Sequence, residues 1–362
     1  MTTPRDEGFA MPPEWGPHAG CWMIWPERPD NWRLGAKPAQ AAFCRVAEAI
    51  AKFEPVTMMV SARQFANARA LLPAAIRVVE VSSNDAWARD VGPSFLLNGD
   101  GDLAGVDWPF NAWGGLQNGL YFPWDLDDAV AAKVLQMERA AAFRAPKIIE
   151  GGAVHVDGQG TVLVTEACLL AQDRNPGASR QDMERVLKDY LGASHVVWLG
   201  AGVPFDETGG HVDNLACFAA PGVVLLSWCD DPDDPHFAVS RDAQARLLGA
   251  MDAQGQAIRV EKIPMPSPMF YTAEEAAGID QAATGMNRAA GERLAASYVN
   301  FYIANGAIIA PCFGVPTDEP ARKVLARLFA DRDVVMVPAR EILLGGGNIH
   351  CITQQQPVKD VR

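Results

Sequence analysis

Helix-forming and strand-forming stretches alternate along the whole chain, and that alternation restricts the fold to a mixed α/β or α+β class. Apolar residues recur at spacings of three and four, with charges between them, over 38–53, 127–142, 178–191, 240–253 and 318–330, as in Met183, Val186, Leu187 and Tyr190. Short runs rich in β-branched and aromatic residues lie between them, at 56–60, 77–81, 161–165, 196–199, 223–228, 298–303 and 334–337. Five helical stretches suggest five units.

Glycine pairs supply a faint internal echo. Gly151-Gly152-Ala153-Val154-His155, Gly209-Gly210-His211-Val212-Asp213 and Gly346-Gly347-Asn348-Ile349-His350 each set a small turn before an alternating polar and β-branched segment, which points to a repeat architecture. If five similar units surround one axis, equivalent loops converge, and residues near 90, 150, 211 and 351 meet despite their separation in sequence. The Pro and Asp cluster at 229–235 is too short for a linker and reads as a surface turn. The 362 residues are therefore expected to form one domain, 1–362.

Composition excludes several classes. A formal charge of −13 opposes a nucleic-acid surface, which needs clustered Lys and Arg, and is compatible with a cationic substrate. No stretch approaches 18 consecutive apolar residues and the N-terminus lacks a secretory pattern, so the expectation is a soluble protein without a membrane span. Seven scattered cysteines without CxxC pairs argue against a disulfide framework and for the reducing cytoplasm. The six histidines form no HxH or HxxxH cluster, so no metal site is expected. Homo-oligomers are allowed, and the oligomeric state is left open.

Three segments could carry chemistry. Gly345-Gly346-Gly347 lets the backbone approach a ligand closely just before His350 and Cys351; Cys351 reads either as a nucleophile or as an inert buried thiol after a flexible turn, the commoner role of a free cysteine. Glu207-Thr208-Gly209-Gly210-His211-Val212-Asp213 offers an acid/base candidate and two carboxylates, with His211 and Asp213 on one face if the segment is a strand; the alternative is a turn with a hydrogen-bonded core histidine. Trp87-Ala88-Arg89-Asp90 spaces an aromatic ring and an acid so that the ring could stack on a planar cation whose N–H groups Asp90 accepts, or else forms a surface Arg89–Asp90 pair beside a core tryptophan. Glu150, ahead of Gly151-Gly152, reads equally as a solvated acid. Aromatics near 15–32 and 108–113 could line a pocket or fill the core.

Taken together, the stretches MPPEWGPHAGCWMIWP, WARDVGPSF, FNAWGG, EGGAVHVDGQG, DETGGHVDN, SYVNFYIANGAIIAP and GGGNIHCITQQQP, running from residue 11 to residue 357, closely resemble the agmatine deiminase family of guanidine-modifying enzymes. The resemblance implies an α/β fold, a five-bladed pseudo-symmetric α/β propeller (the pentein fold), with its site at the central channel. It implies Cys351 as nucleophile, His211 as general acid/base, and Asp90, Glu150 and Asp213 as carboxylates around the guanidinium, with Trp87 packed near the substrate and Glu207 at an acidic position near the bound ligand. The implied substrate is agmatine and the products are N-carbamoylputrescine and ammonia, within putrescine and polyamine metabolism.

A guanidinium is planar, resonance-stabilised and always charged near neutral pH, so it must be held by carboxylates and attacked by something better than water. A thiolate, with one histidine serving both half-reactions, meets that need without a cofactor. The rival readings are a peptidylarginine or arginine deiminase of the same superfamily, a papain-like thiol protease, and a non-catalytic cation-binding protein.

Overall fold

The computed structural model describes residues 2–281, 285 and 287–359. Its strands in chain order are β1 His18–Ile24, β2 Val56–Val60, β3 Arg77–Glu80, β4 Ser94–Leu97, β5 Leu103–Asp107, β6 Ala141–Arg144, β7 His155–Val156, β8 Thr161–Thr165, β9 His195–Leu199, β10 Ala216–Ala220, β11 Val223–Trp228, β12 Arg259–Pro264, β13 Tyr302–Ala304, β14 Ala307–Cys312, β15 Asp333–Pro338 and β16 Gln354–Pro357. They form five small sheets: β16-β1-β2-β3, β4-β5-β6, β7-β8-β9, β10-β11-β12 and β13-β14-β15.

One plan repeats in every sheet. The first two strands pair antiparallel, and the second pairs in parallel with a third reached through a crossover helix. The crossover helices are Lys37–Ile50, Val130–Met137, Arg180–Leu191, His236–Leu248 and Asp318–Leu328. The molecule is therefore a five-bladed α/β propeller of ββαβ units. In the first blade the first strand is β16, so the two ends of the chain close the ring, and β3 adds a fourth strand parallel to β2 at the far edge.

Local sequence explains these elements. Arg180–Leu191 starts at a Ser179–Asp182 capping box, ends at Gly192 in the left-handed conformation, and buries Met183, Val186, Leu187 and Leu191. Three expected elements differ. The helix expected over 240–253 runs His236–Leu248, ending at Gly249. The helix expected over 127–142 stops at Met137; Arg139 turns the chain with a φ of 53°, and Ala141–Arg144 pairs with β5 instead. Alanine-rich composition hid that strand. Of the run expected over 298–303, only the end lies in β13, because the N–H of Val299 bonds to Ser297 Oγ while Tyr298, Val299 and Phe301 pack into the core.

Each blade's first strand is preceded by a short irregular loop, and these five loops form a closed circuit. The Gly152 N–H donates to Asp90 (2.9 Å), and His211 Nε2 faces Glu150 at 3.4 Å. Asn300 Nδ2 donates to Asn214 Oδ1 (3.0 Å), the His350 N–H donates to Asn300 Oδ1 (2.9 Å), and the Arg89 N–H donates to the Cys351 carbonyl (3.1 Å). The four positions expected to converge do so, and Asn300 supplies the fifth. Among the described residues no helix is long and apolar enough to cross a membrane.

Candidate active site

Cys351 sits where the five loops meet and is 5% exposed. Its Sγ accepts a hydrogen bond from Asn300 Nδ2 at 3.2 Å and lies 3.7 Å from Oδ2 of Asp213. Burial, then Asp213 and Asp90, push the thiol well above its ordinary pKa. Without a cation beside it, Cys351 is therefore held as a thiol.

Three buried carboxylates surround it. Asp90 accepts from the Gly152 N–H and from Trp113 Nε1 (2.9 Å each); burial, reinforced by Asp213 and Glu150 and opposed by His211, raises it to about 6. Glu150 is ion-paired with Arg174, whose Nε lies 2.8 and 3.1 Å from its two oxygens; burial pushes Glu150 up, but Arg174 and His211 bring it down to about 2. Asp213 lies in the turn Val212–Asn214, not in a strand, and its Oδ1 is buried without a partner. A planar cation with several N–H donors would satisfy that oxygen.

His211 lies 3.4 Å from Glu150 and 3.8 Å from Asp90. Burial alone would lower its pKa, but Asp90 and its other neighbours hold it well above the usual histidine value, so the ring carries a proton ready for donation. Gly152 makes the packing feasible: a Cβ there would stand 2.6 Å from His211 Nδ1 and 2.8 Å from Asp213 Oδ2. Glu150, Cys168 and His211 also place donor atoms within 4.8 Å of one another, but Arg174 already occupies both oxygens of Glu150.

Trp87 forms a wall of the cleft. Asp85 accepts its indole N–H (2.8 Å) together with the indole N–H of Trp32 and the side-chain amide of Asn31 (2.7 Å each), which fixes the ring plane. A Cβ on Gly347 would lie 2.4 Å from the Trp87 ring and one on Gly345 2.2 Å from the Trp32 ring, while Gly346 holds a φ of 102°, so each glycine of the run is dictated by its own contact or conformation. Of the other aromatics, Trp113 and Tyr121 line the cleft, whereas Trp22, Trp25 and Trp32 belong to the core.

The family model of Porphyromonas-type peptidyl-arginine deiminases matches residues 10–357. The agmatine deiminase of Pseudomonas putida is 56% identical over 358 residues, covering 98% of this chain and 97% of the relative, and that of Pseudomonas aeruginosa is equally similar. This chain belongs to the agmatine deiminase family. A solved agmatine deiminase structure from Enterococcus faecalis superposes with a TM-score of 0.97 at 48% identity, covering 99% of both chains.

In this member of the agmatine deiminase family the outer cleft carries paired charges. Glu207 takes a two-pronged bond from Arg288 (2.9 and 2.6 Å), and Arg288 also donates to the Gly345 carbonyl (2.8 Å). Arg28 pairs with Asp30 at 2.7 Å. The residues expected from sequence thus all lie at or beside one cleft, with Glu207 committed to an arginine. Those that sequence reasoning missed are Asn300, Arg174, Arg288, Asp85, Glu14 and His350. Most of their partners come from distant loops, and the local signals were His350 standing next to Cys351 and Asp85 two residues before Trp87.

Proposed function

We propose that this chain, 1–362, is one catalytic unit that hydrolyses agmatine to N-carbamoylputrescine and ammonia. The observation that carries the reading is the position of Cys351 Sγ, 3.7 Å from Asp213 in a buried acidic pocket shared with Asp90. Asp90 and Asp213 bond the guanidinium N–H groups and present its carbon to Sγ, and the arriving cation favours the thiolate, the thiol proton passing to solvent water before attack. Attack forms a C–S bond and a tetrahedral adduct. His211 gives its proton to the leaving nitrogen, the C–N bond breaks and ammonia departs, leaving an amidino-thioether. Neutral His211 then takes a proton from water, whose oxygen attacks the same carbon. Collapse of the second adduct breaks the C–S bond, releases the ureido product and restores Cys351. Glu150, held by Arg174, keeps the His211 ring in place.

The outer cleft favours agmatine over free arginine. Both arginines that line it, among the described residues, are already paired with carboxylates, so an α-carboxylate would enter without an unpaired cation to meet it. Agmatine has no such group. Seven unpaired cysteines support a cytoplasmic location.

Acid quenching during turnover followed by intact mass measurement tests the covalent step. The expected species is the enzyme plus agmatine less ammonia, absent in Cys351→Ala; turnover without any adduct on Cys351 in wild type or slow variants would contradict this reading.

A further inference from the structure

We propose that His350 is a positioning residue for this reaction, a doubly protonated ring that clamps Asp213 from behind and leaves its free oxygen aimed at the substrate. The inference rests on the deiminase reading above for its function, but not for its geometry.

The ring bridges two carboxylates. Nδ1 lies 3.0 Å from Asp213 Oδ2, and Nε2 lies 2.9 and 3.1 Å from the two oxygens of Glu14. His350, Asp213 and Glu14 are all buried. A neutral imidazole offers one donor and one acceptor, so one of its nitrogens would turn a lone pair toward a carboxylate. Only the imidazolium satisfies both sides.

Glu14 is kept ionised by its surroundings. Arg89 Nη1 reaches its Oε1 at 3.3 Å, and His155 Nε2 lies 3.7 Å from its Oε2. His155 Nδ1 accepts the Phe218 N–H at 3.2 Å, which leaves its Nε2 to carry the proton facing Glu14. Burial would raise Glu14, yet His350, Arg89 and His155 hold it well below the carboxylate range. Around His350, burial and Arg89 oppose the proton, while Glu14 and Asp213 outweigh them and raise its pKa. The remaining titratable neighbours are Cys351, next in sequence, and Cys217, which shares the small cavity behind the ring.

The consequence falls on Asp213. With Oδ2 taken by His350, Oδ1 is left buried and unpartnered. A loose Asp213 could rotate and use both oxygens elsewhere; a clamped one can only wait for a guanidinium N–H. Displacement of a substrate-holding group by about 1 Å costs about 100-fold in rate.

The test compares wild type with Glu14→Gln, His350→Asn and His350→Ala, reading kcat and KM for agmatine across pH together with 15N NMR of the histidine rings in the free proteins. Wild type should show His350 protonated on both nitrogens at neutral pH. Glu14→Gln removes a carboxylate that touches no substrate, so the ring should lose its proton at lower pH and the alkaline limb of kcat/KM should move down with it. His350→Ala should raise KM and lower kcat, with kcat/KM down about 100-fold, and His350→Asn, which can still donate to Asp213, should recover part of the loss. A purely structural role would reduce the active fraction and leave KM and the pH limb unmoved, which would overturn the proposal. So would a neutral His350 ring in wild type, a result that holds whether or not agmatine is the substrate.

Discussion

Asn300 and Cys351 lie on different blades and meet side chain to side chain: Nδ2 of Asn300 lies 3.2 Å from Sγ, while its Oδ1 accepts the N–H groups of His350 (2.9 Å) and Cys351 (3.3 Å). One side chain thus anchors the nucleophile's loop and points a donor at its sulfur. The donor is worth more once the sulfur is charged, since hydrogen bonds to ions are about twice as strong as neutral ones. Asn300→Ala should lower kcat/KM for agmatine by about 10- to 100-fold, and Asn300→Asp, which brings an oxygen to the sulfur instead, should lose more. Steady-state kinetics of the two variants check this.

Cys351 should be a poor nucleophile in the empty site. Burial and two carboxylates hold its thiol well above the ordinary range, so alkylation by neutral iodoacetamide should be slow at neutral pH and accelerate only in alkaline solution. Asp213→Asn removes one of those charges. It should alkylate faster than wild type at neutral pH while losing deimination, a reversal that separates thiol reactivity from substrate positioning.

Acid should silence the enzyme through Asp90. Its pKa is raised to about 6, so below that pH the free site presents a neutral carboxyl and loses a partner for the cation. The expected outcome is a fall in kcat/KM as pH drops through about 6, steeper than the change in kcat because a bound guanidinium favours the ionised acid. A pH profile of both parameters measures it.

How much of this was legible beforehand follows the range of each interaction. The crossover helices were visible because amphipathic periodicity is local, and the repeat was visible because glycine pairs before strands recur. Strands such as β4, β7 and β10 are short and almost fully buried, so they show no polar alternation to read. Cys351, His211, Asp213, Asp90 and Glu150 could be picked by chemical type. Arg174, Asn300 and Glu14 could not, because each is ordinary in its own segment and acquires its meaning only from a partner on another blade.

Arg174 illustrates that dependence energetically. Removing one member of a buried ion pair leaves the other charge uncompensated, at a cost of about 3–5 kcal/mol. Glu150, held at about 2 by burial opposed and overcome by Arg174 and His211, contributes stability above its unfolded value of about 4.5 and loses it as pH falls toward 2. Arg174→Gln should therefore destabilise the fold by about 3 kcal/mol at pH 7 and by much less near pH 4, where Glu150 can protonate. Urea denaturation at the two pH values checks the sign.

The most direct test of the central claim is ammonia and ureido-product release from agmatine, free arginine and a blocked arginyl peptide by wild type and Cys351→Ala. The account predicts stoichiometric ammonia and N-carbamoylputrescine from agmatine, far slower release from arginine and the peptide, and none from Cys351→Ala. Ammonia from Cys351→Ala at the wild-type rate, or binding of agmatine with no ammonia from either protein, would contradict it.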